Sequence, residues 1–324
     1  MWKNGYGTGG QITWLFLAMA RAAGFEASPV LISRRSETFF SNTNLNANEL
    51  DDNIVQVKLD GKVAYFDPGT AFTPYGMLPW WQTMVTGLKL QKDGGIWVKT
   101  PLPRSNTTRI ERKAELKLDN EGTLQGKLTV TYYGSEAQQL RMEERNEDDT
   151  SKKRLLEDMV RESVPIGIEV ELTNQPNWKR SDPALVTEYT FKVPGWVSGA
   201  GKRALLPVGL FSNSEKGVFE NAHRLHAVYF HYPYQKNDDI KIELPLGWKL
   251  GSLAKPVERD ATAADYVMKV EEQGGVLHLT RTLRSDLMIV PKDNYLALRT
   301  FFETVRTGDE EQVVLQPGSA ISVN

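Results

Sequence analysis

The chain has 324 residues, with 39 Lys and Arg against 41 Asp and Glu, 40% hydrophobic and 25% charged residues, and no cysteine. That balance fits a globular protein of about two domains and excludes a disordered or fibrous chain. The near-neutral charge excludes general nucleic-acid binding, and the missing cysteine excludes disulfides, Cys-ligated metal centres and any thiol nucleophile.

The first element is a helix over Gln11 to Ala23, entered through Gly9 and Gly10 and stopped by Gly24. Ile12, Leu15, Phe16, Met19 and Ala22 have helical spacing, while Trp14, Leu17, Ala18 and Ala20 fill the other sides. A helix apolar nearly all round is expected in a core. Its run Trp14 to Ala20 is too short for a membrane span, and without a basic leader or cleavage site it is not read as a signal peptide. Gly5, Gly7 and Gly10 form a G-x-G-x-x-G pattern, but only four residues precede it, and the preceding strand that a dinucleotide site requires has no place there.

Three strands are expected next, Ala27 to Ser33, Asn53 to Leu59 and Val63 to Asp67. The polar stretch Ser36 to Asp52 separates the first two, and the Asp60-Gly61 turn joins the last two into a hairpin. Pro101-Leu102-Pro103 reads as a linker. Beyond it, period-two alternation at Ala114–Leu118, Leu124–Tyr132, Leu185–Val193, Ala227–Tyr232, Ile240–Leu244, Tyr266–Val270 and Val276–Leu283 predicts strands with one buried face, and hence a β-sandwich. Two helices interrupt them: one capped by Ser151, lined by Leu155, Leu156, Met159 and Val160 and ended by Pro165 and Gly167, and one over Asn294 to Arg306. The acids Glu143 to Asp149 read as the solvated start of the first. His223, His226 and His231 lack a common strand face and a recognisable ligand spacing, so no metal or other cofactor is expected.

The order of the N-terminal elements resembles the second half of a bacterial transglutaminase-like domain, whose fold is shared with papain-like cysteine peptidases. The resemblance rests on a Gly-rich loop, a helix ending Arg21-Ala22-Ala23-Gly24, a strand, a polar loop, and a hairpin closing on Phe66-Asp67-Pro68. Pro74 to Pro79 and the segment Thr107 to Leu315 resemble the regions that follow this core in large bacterial proteins with an N-terminal DUF3857 β-domain. The resemblance implies an α+β chain: a partial transglutaminase-like (papain-like) core over residues 1–103 and an antiparallel β-sandwich-rich domain over 104–324. It also implies a C-terminal portion of a longer protein and a place in the bacterial cell envelope or periplasm.

In that family a Cys attacks an amide, a His moves the proton and an Asp orients the imidazole. Counting from Arg21–Gly24 puts the nucleophile position at Gly9, and counting from Leu59–Lys62 puts the His position at Asp52; Asp67 alone keeps the family residue. The resemblance therefore implies a non-catalytic binding or scaffolding module. Its partners would be a peptide, protein or glycan, with Trp80 and Trp81 as candidate contacts. Two alternatives remain: an enzyme using Asp52 and Asp67 as an acid/base pair, and a purely structural piece with a closed cleft.

Overall fold

The computed structural model describes residues 5–43, 46–164, 167–213 and 217–317. It is mixed α+β, 22% helix and 39% strand, with several antiparallel sheets, as expected. It divides into two compact units: residues 1–107 with 133–145 and 178–184, and the remainder.

The first unit is built on α1 (Gly9–Ala22), β1 (Glu26–Ile32), β2 (Asp52–Leu59), β3 (Lys62–Phe66), β4 (Thr86–Gln91) and β5 (Gly94–Lys99), with α2 (Ser135–Glu143) also belonging to it. The strands form one antiparallel sheet in the order β3-β2-β1-β4-β5. Asp60 and Gly61 both take positive φ between β2 and β3, the conformation of the type I′ turn that Asp-Gly favours. Thr8 caps α1 in a capping box with Gln11, satisfying two otherwise orphaned donors.

Each sheet face carries its own apolar cluster. Leu17, Ala27, Val55 and Val57 pack with Phe16, Ala20, Leu59 and Phe66 on the α1 side; Val30, Ile32, Ile54, Leu78 and Val85 pack on the other. One expectation fails here. Only Thr13 and Leu17 of α1 are buried, whereas Ile12, Trp14, Met19 and nearby Phe25 remain exposed. Periodicity reports how apolar a helix is, not how many neighbours cover it.

The second unit contains an eight-stranded sheet formed by β6 (Arg109–Leu118), β7 (Leu124–Tyr132), β8 (Glu169–Leu172), β9 (Leu185–Val193), β13 (Tyr234–Glu243), β15 (Val257–Asp260), β16 (Ala264–Gln273) and β17 (Val276–Ser285). Its order is β15-β16-β17-β13-β6-β7-β9-β8, antiparallel except where β13 runs parallel to β6. A smaller sheet joins β10 (Ser198–Ala200), β11 (Arg203–Pro207), β14 (Lys249–Ser252) and β19 (Gln312–Gln316). The predicted strand Ala227–Tyr232 contracts to β12 (Val228–Tyr229), paired with β18 (Ile289–Val290).

Alternate residues along β9, β16 and β17 are buried, so the large sheet has one apolar face, as period two requires. The helices of this unit are α3 (Asp149–Ser163) and α4 (Tyr295–Asp309). Asp148, not Ser151, caps α3: its carboxylate accepts the Ser151 N–H. An Asp three residues earlier satisfies the cap better than a Ser already inside the first turn. Of the expected stop signals, Pro165 lies outside the described residues. Among the described residues no helix is long and apolar enough to cross a membrane.

Candidate functional site

Asp52 opens β2 and Asp67 follows β3, the neighbouring strand. A 3-10 turn over Trp80–Gln82 then brings Gln82 between them. Gln82 Nε2 donates to Asp67 Oδ2 at 2.7 Å and to Asp52 Oδ2 at 3.0 Å. One amide group thus ties together two carboxylates that share the same sign.

The Asp67 carboxyl is deeply placed. Its side chain lies in a residue only 5% exposed, and Gln82 is fully buried. Asp67 Oδ1 accepts the backbone N–H groups of Gly69 and Thr70 at 3.0 and 3.1 Å, an Asx turn that Pro68 and Gly69 make possible. Burial pushes the Asp67 pKa above the usual carboxylate range and the nearby Asp52 charge adds to the rise, against the lowering by bonds from Thr70 and Gln82.

Asp52 sits nearer the rim, where Arg34 Nε donates to its Oδ2 at 2.9 Å. This is an exposed ion pair, Arg34 itself being nearly half exposed. Gln82 is fixed from behind. Its backbone carbonyl accepts the Thr100 hydroxyl at 2.7 Å, and the next residue, Thr83, accepts from buried Arg35 through both its carbonyl and its hydroxyl.

Trp80 and Trp81 flank this amide. They meet edge to face with centroids 5.8 Å apart, the Arg35 guanidinium lies 5.1 Å from the Trp80 ring, and both indoles are half-buried. They brace the turn that carries Gln82.

Gly9 is the first residue of α1 and touches the turn after Asp67. An ideal Cβ on Gly9 would stand 2.8 Å from the Gly69 carbonyl oxygen, and one on Gly69 would stand 2.4 Å from the Gly9 oxygen and 2.7 Å from Thr13 Oγ1. Backbone faces backbone at this point, leaving no volume for a side chain at either position. Gly10 differs, since its Cβ would meet only the Asn53 side chain at 3.3 Å.

The structure therefore brings Asp52 and Asp67 to one amide and places Gly9 against Gly69, two residues from Asp67. Gln82 is the member that sequence reasoning missed. The weak signal was a lone amide between Trp81 and Thr83, next to the paired tryptophans. Among the described residues no group of three or more His, Asp or Glu side chains is placed to hold a metal ion. His278 Nε2 instead lies 2.7 Å from Asp239 Oδ1 on the second unit's sheet.

Comparison with known proteins adds a family at one end of the chain. Residues 202–315 match DUF3858, a domain of unknown function with a solved structure, which lies in the transglutaminase-like neighbourhood. No curated protein matches the chain. Among solved structures, the crystal structure of a putative protease from Parabacteroides distasonis aligns with a TM-score of 0.48 and 11% identity, over 97% of this chain and 45% of that one. This chain spans less than half the length of that protein.

Proposed function

We propose that the chain is a non-catalytic transglutaminase-like protein, acting as a binding or scaffolding module of the bacterial cell envelope. The observation that carries this reading is the backbone contact between Gly9 and Gly69. The position matched to the nucleophile has no side chain and no room for one, so a covalent acyl intermediate has no atom to form on. The resemblance of Arg21–Gly24, Phe66–Pro68 and Pro74–Pro79 to large bacterial envelope proteins supports the envelope setting. The exposed Ile12, Trp14, Met19 and Phe25 support a binding role.

A carboxylate enzyme is the second reading, favoured by the convergence of Asp52 and Asp67 on Gln82 and by the raised pKa of Asp67. Against it stands the local bonding. Both Gln82 amide hydrogens and both Asp67 oxygens are spent on internal partners, whereas a working acid must reach the proton of its substrate.

Ammonia release and amine incorporation, measured with glutamine-containing peptides and the purified chain, separate the two. The expected result is no turnover, with Asp52→Asn and Asp67→Asn indistinguishable from the parent. Turnover lost in Asp67→Asn would establish the second reading instead. Titration against peptide and glycan arrays then distinguishes a binder, which saturates, from a spacer, which does not.

A further inference from the structure

β5 is an edge strand of the first unit's sheet, and edges invite pairing because one row of their N–H and C=O groups has no partner. The two edges of the second unit's eight-stranded sheet are short and blunted by charge, Glu169 and Glu171 on β8 and Glu258, Arg259 and Asp260 on β15. β5 reads Gly-Gly-Ile-Trp-Val before its single Lys99, with Ile96 50% and Trp97 38% exposed. Phe40 packs against the Trp97 ring with centroids 5.7 Å apart, but before Lys99 no charge guards the backbone edge.

The hairpin fixes which backbone groups are available. The two-residue turn Lys92-Asp93 pairs Gln91 with Gly94, so Gly94, Ile96 and Val98 direct their hydrogen bonds to β4. By antiparallel alternation Gly95, Trp97 and Lys99 direct theirs outward.

From this row we infer that β5 pairs antiparallel with β5 of a second copy about a two-fold axis at Ile96. The outward parity permits Trp97 to oppose Gly95 of the other copy and Asp93 to oppose its Lys99. This arrangement places each Trp over a residue without a side chain and forms two reciprocal Asp–Lys pairs. Among the described residues Asp93 and Lys99 make no ion pair, so both charges are free to do this. The register shifted by one residue per strand would instead stack Trp97 on itself and set Lys99 against Gly95, losing both charge pairs. A two-fold contact of this kind is self-complementary and joins the two five-stranded sheets into one.

Sedimentation velocity of the full chain over a concentration series tests the inference. The parent is expected to dimerise. Asp93→Lys puts like charges opposite at both ends and should weaken the dimer about tenfold, while Asp93→Lys combined with Lys99→Asp should restore it. Ile96→Lys, which sets two ammonium groups together on the axis, should also weaken it. All these positions are exposed, so folding is preserved. As a second measurement, exchange of the Gly95, Trp97 and Lys99 amides should slow with concentration while that of Ile96 and Val98 does not. A chain that stays monomeric, a dimer indifferent to these substitutions, or a double exchange that fails to recover association would overturn the inference.

Discussion

The two units each bury a polar cluster, and the clusters are wired differently. In the second unit Arg112 binds both oxygens of Asp238, Arg281 binds both oxygens of Asp309, and Tyr266 donates to Asp309 at 2.8 Å. Arg281 also approaches Asp238 at 3.9 Å. Two buried cations meet two buried anions, on β6, β13, β17 and α4. In the first unit two carboxylates meet a neutral amide, and the nearest cation, Arg34, sits at the rim. The first arrangement cancels its own charge. The second leaves like charges facing each other and shifts the burden onto the proton affinity of Asp67. A buried cluster that balances its charge can be purely structural; one that does not is sensitive to pH, even where no chemistry follows from it.

The largest effect is expected where balance is lost. Arg281→Met leaves the buried Asp309 carboxylate with the Tyr266 hydroxyl but no cation, while Asp238 keeps Arg112, and it should cost the second unit about 3–5 kcal/mol in denaturant unfolding. A loss below roughly 1 kcal/mol would mean that water reaches the cluster and that it is no better compensated than a surface pair.

Next comes the glycine contact of the first unit. Gly9→Ala and Gly69→Ala should each cost about 1–3 kcal/mol by overpacking against backbone. Gly10→Ala, whose new methyl meets only a movable side chain, should cost little. Equal stability of the Gly9→Ala and Gly10→Ala variants would show that α1 shifts freely and that the packing argument is wrong. For the same reason Gly9→Cys with Asp52→His is expected to unfold more readily than the parent before it shows any thiol reactivity.

The third prediction concerns pH. Asp67 binds its proton more tightly in the folded chain than in the unfolded one. Its contribution to stability is therefore greatest below the ordinary carboxylate range and declines as pH rises through the folded-state pKa. Thermal unfolding followed upward from below the ordinary carboxylate range should show that decline in the parent and a flatter profile in Asp67→Asn. A parent profile that rises through the same window would mean that the bonds from Thr70 and Gln82 outweigh burial. The smallest effect belongs to Arg34→Ala, which removes an exposed pair and should change stability by no more than about 1 kcal/mol.

How much of this was legible in the sequence differs between the clusters for a physical reason. Asp67 could be found because a strand, an Asp and a Pro stand together locally, and the β2–β3 hairpin followed from Asp60-Gly61. Gln82 could not, because its role depends on a turn folding back between two strands, and no local pattern records that. The β4–β5 hairpin escaped for a simpler reason: the alternation Leu88-Lys89-Leu90-Gln91 spans only four residues, and β5 opens on two glycines and continues as the unalternated run Ile96-Trp97-Val98. In the second unit the strand periodicity was plain, yet Arg112, Asp238 and Arg281 sit at positions of the buried face where the pattern calls for apolar residues. Arg112 and Asp238 lie outside the predicted strands Ala114–Leu118 and Ile240–Leu244 and Arg281 lies inside Val276–Leu283, and no local pattern marks the three as partners on three separate strands. Helix α2 carried no clear apolar stripe, and its capping position is a glycine, Gly134.

The meeting of Gly9 with Gly69 also restricts what position 9 can become. A single codon change that put a nucleophile at position 9 would find a carbonyl oxygen already in its place, so instability would arrive before reactivity. The start of α1 and the turn at Gly69 would have to part first, and selection working one step at a time is poorly equipped for that route.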